Sequence, residues 1–136
     1  RGPHFIKQLF PLIEDSSPSV RKLILDQLGR EKNGSVEALL LSYLEQARFK
    51  IADHQHLMAC YRALGRCGSS DCTPFLRASL FKRGWLIDFG RSVHRKGAVL
   101  ALISLGNEEA MGLLHKASRS LLPSVRLAYR KALEVN

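Results

Sequence analysis

The chain has 136 residues, of which 46% are apolar, and its 21 Lys and Arg residues outnumber 12 Asp and Glu, for a formal net charge of +9. This length suits one domain, and the longest apolar run, 98–103, is far shorter than the roughly 20 residues that span a bilayer, which excludes a transmembrane segment. Three cysteines without Cys-x-x-Cys spacing argue against a disulfide framework and indicate a reducing, cytoplasmic compartment.

The sequence repeats itself. Ser-Pro-Ser-Val-Arg at 17–21 returns as Leu-Pro-Ser-Val-Arg at 122–126, and a leucine recurs at Leu28, Leu64, Leu105 and Leu133. Self-similarity at a period of roughly 20 to 50 residues is typical of solenoids, in which each unit buries its apolar face against its neighbours. The pattern predicts an all-α fold, a right-handed alpha-alpha superhelix (alpha-solenoid) with about four helix pairs in one domain. Its units are about 1–30, 31–66, 67–106 and 107–136. Since the chain begins Arg-Gly-Pro without a methionine, we expect it to be part of a longer polypeptide.

In chain order, the predicted helix pairs are 3–14 with 18–28, 36–47 with 54–64, 70–80 with 92–105, and 108–118 with 123–134. Ser17, Asp53 and Asn107 are predicted N-caps, because their side-chain oxygens can accept the free N–H groups of a first turn. Gly29, Gly65 and Gly106 are expected to end the second helices, since glycine tolerates the left-handed conformation found there.

The third unit carries five extra residues between Leu80 and Leu105, in a segment with the only tryptophan, Trp85. Loops on a rigid scaffold concentrate binding residues, but the helix that follows is apolar on nearly every face and must be covered. Two interpretations therefore stay open: Trp85 covers that helix, which we expect, or it waits for a partner. The candidate partner-binding residues of this unit are Lys82, Arg83, Trp85, Arg91, Arg95 and Lys96.

The fourth unit is basic. Five basic residues and no acidic one lie in 116–131, and Arg130 and Lys131 are further candidate partner-binding residues. Such a face attracts phosphates or an acidic protein. A nucleic-acid-binding module that uses this basic carboxy-terminal half is the alternative to protein binding. The other possibility is ordinary solvated charge.

Metal binding and catalysis have weaker support. The zinc-ligating residue types fall within 19 residues, at His54, His56, Cys60, Cys67 and Cys72. However, the helical register assigns His56 and Cys60 to the core, and the other two cysteines lack a usual ligand spacing, so we predict no metal and no cofactor. No arrangement of nucleophile, base and orienting group is present in the sequence, so we name no catalytic residue.

The segment 12–21, Leu-Ile-Glu-Asp-Ser-Ser-Pro-Ser-Val-Arg, with the Leu28-Gly29 pair resembles the consensus of HEAT and PBS-lyase HEAT-like repeats, as do 107–110 and 123–126. The resemblance implies a curved helical scaffold of a kind that usually binds other macromolecules, although the fold alone does not fix the function. We therefore expect a protein-protein interaction or scaffold module with an unidentified protein partner and no membrane. Enzymes of the lyase or glycosylase kind that share HEAT-like repeats form a third, weaker alternative.

In that family, an aspartate six residues before an arginine often joins a ladder between neighbouring repeats. Asp15 and Arg21 match this pattern, and Arg126 matches the arginine, but Ser120 stands where its aspartate would be. The middle units have Leu57 and Ala98 in place of the arginine. The resemblance thus implies an inter-repeat structural role for Asp15, Arg21 and Arg126, in an incomplete ladder.

Overall fold

The computed structural model describes residues 3–31, 34–47, 53–81 and 91–135, and within these ranges the chain is helical without strands. The α-helices are α1 (Pro3–Leu9), α2 (Pro18–Arg30), α3 (Gly34–Ala47), α4 (His54–Cys67), α5 (Thr73–Phe81), α6 (Arg91–Leu105), α7 (Glu108–Ser118) and α8 (Pro123–Val135). Two short 3-10 helices, Phe10–Glu14 and Ser70–Cys72, precede α2 and α5. None of the helices described here has the length and apolar character needed to cross a bilayer.

The predicted helices correspond to these eight, with one substantial difference in the first unit. The predicted helix 3–14 ends as an α-helix at Leu9 and continues as the 3-10 helix Phe10–Glu14. Pro11 explains the change, because proline has no N–H to donate and its ring crowds the preceding turn. The chain therefore tightens here before it reaches α2.

The helix starts follow the predicted chemistry. Ser17, Asp53 and Asn107 are confirmed as N-caps of α2, α4 and α7. Their side-chain oxygens accept backbone N–H bonds of 3.4, 2.9 and 2.8 Å, respectively, from the first turn of each helix. These bonds satisfy donors that have no partner within the helix, so three of the four predicted pairs contain a helix start fixed by local sequence.

The glycine prediction is right at Gly106, whose φ is +61° just after α6, and wrong at Gly29 and Gly65, which lie inside α2 and α4. These two glycines instead permit close helix contacts. A Cβ on Gly65 would lie 2.7 Å from the carbonyl oxygen of Ala101, and one on Gly29 would lie 3.3 Å from the Cα of Ala63. Gly29 thus allows α2 to approach α4 closely, and Gly65 allows α4 to approach α6.

Successive second helices pack against one another, α2 on α4, α4 on α6 and α6 on α8. Within the pairs, α3 packs on α4, α5 on α6 and α7 on α8. The most extensive of these contacts joins α4 to α6, and α6 is also packed by α5, α7 and α8. This explains its all-round apolar sequence, because residues 98–102 are each at most 1% exposed. The buried apolar side chains of the described helices form one connected core.

Candidate partner-binding face

On α2 and α4, the position after the recurring leucine lies against the second helix of the next pair. Three residues before the recurring leucine stand Leu25 in α2, Tyr61 in α4 and Leu102 in α6, all buried. At this position the ring of Tyr61 lies against Gly97 of α6, and its hydroxyl is 2.6 Å from Nδ1 of His94, also on α6. We define the forward face of a second helix as the side that holds two residues: the one three positions before the recurring leucine and the one directly after it.

The forward face of α8 is exposed. Its equivalent positions are Arg130 and Glu134, with Leu127 and Lys131 beside them, and all four side chains are exposed. In the described part of the chain, α8 packs against α6 and α7, and no further helix covers this side. We name Leu127, Arg130, Lys131, Leu133 and Glu134 together the α8 face.

Exposed leucines lie in the first helix pair, at Leu12 and Leu23, and also in and before α8. The recurring leucine is fully buried as Leu28 in α2 and Leu64 in α4, whereas Leu133 in α8 is 47% exposed. Leu127 is also 47% exposed, and Leu121, in the turn before α8, is 92% exposed. On α8, these half-exposed leucines add an apolar part to a face that another molecule can cover.

The α8 face has more positive than negative charge. Lys131 Nζ lies 4.0 Å from Glu134 Oε2, a weak pair because both side chains are exposed. Arg130 forms no ion pair with any residue that the structure describes. Its guanidinium therefore remains available, and Lys131 can exchange its weak partner for a carboxylate from outside.

The structure does not bring all predicted partner-binding residues to this face. Lys82, Arg83 and Trp85 lie outside the described residues, and Arg91 begins α6 but its side chain is not described. Arg95 is only 9% exposed on α6, so its side chain is not part of the α8 face.

The physical reason for the burial of Arg95 is its position on α6, which other helices surround. Lys96, the next residue, is partly exposed on the same helix. Arg130 and Lys131 are thus the two predicted residues that share one open surface. The exposed leucines beside them were missed, because the sequence pattern alone assigns leucines at helical spacing to the core.

The basic residues of 116–131 divide between internal and outward contacts. Lys116 Nζ lies 5.5 Å from the ring centroid of Phe81 at the end of α5, a distance suited to a cation–π contact. Arg126 Nη1 donates to the carbonyl oxygen of Ser120 at 3.0 Å. Arg119 is exposed. The five basic groups therefore do not all serve one uninterrupted surface.

Arg21 connects the first two helix pairs. Its Nη1 donates to the carbonyl oxygen of Asp15 at 2.8 Å, and its Nη2 lies 3.5 Å from Oδ2 of Asp53, the N-cap of α4. The carboxylate of Asp15 has a different task and accepts the backbone N–H of Ser17 at 2.9 Å. Among these contacts, the ion pair that reaches the next pair is therefore Arg21–Asp53, and Asp15 shapes the turn before α2.

The same turn returns in the last pair with serine in place of aspartate. Ser120 Oγ accepts the backbone N–H of Leu122 at 3.1 Å, and the Ser120 carbonyl accepts Nη1 of Arg126. These contacts match those of Asp15, Ser17 and Arg21 at an offset of 105 residues. The two turns thus share the same hydrogen bonds as well as a similar sequence, with serine in place of aspartate in the second.

A cluster of polar side chains lies between α3 and α4. His56 Nε2 is 2.9 Å from the hydroxyl of Tyr43 and 3.9 Å from Sγ of Cys60. Burial lowers the pKa of His56 and raises the pKa of Tyr43 and of Cys60 to about 12 each. All three groups are therefore held neutral near pH 7, and burial likewise raises the pKa of Cys67 to about 11 and of Cys72 to about 12. Over the described ranges, no three His, Cys, Asp or Glu side chains converge as metal ligands.

A scan of the sequence against models of protein families finds no match, and a search of the curated proteins finds no matching relative. The HEAT-like resemblance therefore depends on the residues of this chain alone. The contacts of the α8 face and the packing of the second helices are the observations that bear on function.

Proposed function

We propose that this chain is a protein-interaction module without catalytic activity, an α-solenoid of four HEAT-like helix pairs arranged as a right-handed superhelix. The serial packing of α2, α4, α6 and α8 supports the solenoid. In such an array, each unit leaves a face for its neighbour, and the last described face is available to another protein. The observation that carries the proposal is the exposure of the α8 face.

The composition of this face favours a protein over a nucleic acid. Leu127 and Leu133 are each 47% exposed beside Arg130 and Lys131, and Glu134 lies among them. Apolar side chains mixed with arginine are typical of protein interfaces, whereas the exposed carboxylate of Glu134 beside Lys131 would repel a phosphate backbone. The face therefore suits a partner with both apolar and charged groups.

Nucleic-acid binding through the carboxy-terminal half is the second candidate function. The exposed guanidinium groups of Arg119, Arg126 and Arg130 favour it. Phosphate contacts release counterions, so such binding would weaken steeply between about 50 and 200 mM salt. A steep salt dependence is therefore the property that separates this candidate from protein binding.

Two measurements on the purified chain test these functions. The first selects binders to the folded domain from a phage-displayed library of random peptides, with heat-unfolded domain for counter-selection. The second titrates labelled duplex and single-stranded DNA and RNA by fluorescence anisotropy at the two salt concentrations. Enriched peptides with weak nucleic-acid binding are expected. Tight, salt-sensitive nucleic-acid binding without any peptide enrichment would replace the proposal with the second candidate.

A further inference from the structure

We propose that the α8 face binds an acidic amphipathic helix of a partner protein. This inference rests on the proposed function and adds the shape and the charge of the partner. It has three parts, which depend on different observations: the occupant is a helix, it carries carboxylates, and it also carries an apolar stripe.

The series of second helices indicates that the occupant is a helix. The close-contact positions show that the forward face of α2 is covered by α4, at Gly29, and that the forward face of α4 is covered by α6, at Gly65 and Tyr61. The α8 face is the next member of this series. Since α8 repeats the sequence pattern of α2 at an offset of 105 residues, its forward face is equivalent to one that a helix covers and is suited to another helix, laid along α8 as α4 lies along α2.

The side chains at the equivalent positions indicate the charge of that helix. Arg130 stands where the other second helices have Leu25, Tyr61 and Leu102. Covering Arg130 with an apolar helix would remove its guanidinium from water without a partner, which is costly. A carboxylate on the occupant would instead make paired hydrogen bonds with the guanidinium, and a second carboxylate would pair with Lys131.

The leucines beside Arg130 indicate that the occupant also carries an apolar stripe. Leu127 and Leu133 flank Arg130 along α8 and are half exposed. An occupant with apolar residues three and four apart would cover them, while its acidic residues meet Arg130 and Lys131. Glu134, in place of the close-contact glycines Gly29 and Gly65, keeps the backbone of the occupant farther away, so side chains make the contact.

A second copy of this chain is a poorer occupant. Each α8 face carries the two cations Arg130 and Lys131 against the single acid Glu134, so two copies that met through these faces would leave like charges uncompensated in the interface, which opposes binding. The net charge of +9 adds a general repulsion between copies. Self-association is therefore an outcome that would contradict the proposal.

The test determines the amino-acid composition of the peptides selected from the phage library and the place on the domain where they bind. Peptides with net negative charge and apolar residues at helical spacing are expected, and their binding should shift the backbone NMR signals of α8. Arg130→Glu combined with Lys131→Glu should weaken the selected peptide roughly tenfold or more, because both charges then repel it. Arg77→Glu, the same charge change on an exposed residue of α5, is the matched control and should leave affinity within about twofold.

Four results would overturn the inference. Selected peptides that are neutral or basic, or that shift signals outside α8, would leave the proposed protein-binding function in place and reject the acidic helix. Equal affinity of the double variant and the Arg77→Glu control would do the same, provided that melting curves show all three proteins folded. Concentration-dependent dimerisation lost in the double variant, measured by analytical ultracentrifugation, would assign the face to a second copy. Absence of any enriched peptide would reject both proposals together.

Discussion

At the residue scale, the close contact of α4 with α6 depends on the missing side chain of Gly65. A Cβ there would lie 2.7 Å from the Ala101 carbonyl oxygen and 2.8 Å from the Cβ of Ser104. Alanine normally stabilises a helix interior relative to glycine by about 0.5–1 kcal/mol. We expect Gly65→Ala to do the opposite and to cost about 1–3 kcal/mol, because α6 must move away. Urea unfolding measures the change.

Gly112 is the matched control for this prediction. It lies within α7, and no heavy atom would stand within 4 Å of an added Cβ. Gly112→Ala should therefore stabilise the protein by about 0.5–1 kcal/mol. Equal stabilisation by both substitutions would mean that α4 and α6 do not approach as closely as described.

The half-buried His56 makes stability depend on pH. Burial lowers its pKa in the folded state, the charge of Arg21 lowers it further, and Asp53 and Glu14 act in the opposite direction. The unfolded chain therefore binds a proton at higher pH than the folded chain does. Stability should be unaffected by His56 above about pH 7 and should fall as pH drops below the ordinary histidine value of about 6.5.

Urea midpoints measured between about pH 8 and pH 5 test this prediction. His56→Gln removes the titrating group and should flatten the part of the slope between about pH 6.5 and pH 5. His115→Gln, on the exposed side of α7, is the control that should retain the slope. An identical slope in both variants would show that carboxyl groups, and not His56, cause the acid sensitivity.

At the element scale, two arginines in repeated turns should differ in their contribution to stability. The side chain of Arg21 is 17% exposed and links α2 to Asp53, whereas Arg126 is exposed and bonds within its own turn. We expect Arg21→Met to cost about 1–3 kcal/mol, since a partly buried carbonyl loses a charged donor. Arg126→Met should cost about 0.5–1 kcal/mol. Thermal unfolding of both variants gives the comparison.

Asp53→Asn separates the ion pair from the helix cap. Asparagine caps as well as aspartate does, so the bonds to the first turn of α4 should remain. The lost pair with Arg21 should cost less than about 1 kcal/mol, because Asp53 is more than half exposed. A loss as large as that of Arg21→Met would make the Arg21–Asp53 pair, and not the Asp15 carbonyl bond, the main contact between the first two pairs.

Helix starts could be predicted because their signals are local. A cap such as Asn107 needs only the first turn of its own helix. The role of Gly65 could not be predicted in the same way, since glycine after a recurring leucine suits both a helix end and a close contact. Which of these applies depends on α6, which lies far along the chain. Pro11, in contrast, is a local signal for the end of α1. The helical spacing of apolar residues continues past it, which is why the pattern predicts one helix over 3–14.

At the scale of the whole molecule, the candidate face could be predicted only in part. Charge alone identified Arg130 and Lys131. The exposure of Leu127 and Leu133 depends on which helix stands next to α8, and a periodic pattern gives the same stripe whether or not it is covered. Arg95 shows the converse. A basic residue is expected to be exposed to water, but Arg95 lies on α6, against which four other helices pack.

If the helix pairs stack as a solenoid, the site of a core defect should decide how much of the chain unfolds. Leu64 is fully buried in α4, which packs on α2, α3 and α6, so Leu64→Asp places an unpaired charge between several pairs. Protection from hydrogen exchange should then be lost throughout the described helices. Val125 is also fully buried, but in α8, which packs on α6 and α7 alone among its main contacts.

Val125→Asp can therefore be accommodated by release of α7 and α8, whose separation costs fewer contacts than global unfolding does. Hydrogen exchange followed by mass spectrometry should show lost protection in 108–135 and retained protection in α2 and α4. Lys131→Glu, an exposed change on the same helix, should leave stability within about 0.5 kcal/mol. Uniform loss of protection in Val125→Asp would contradict stacking by pairs, because a core that unfolds as one unit distributes any defect over all of its helices.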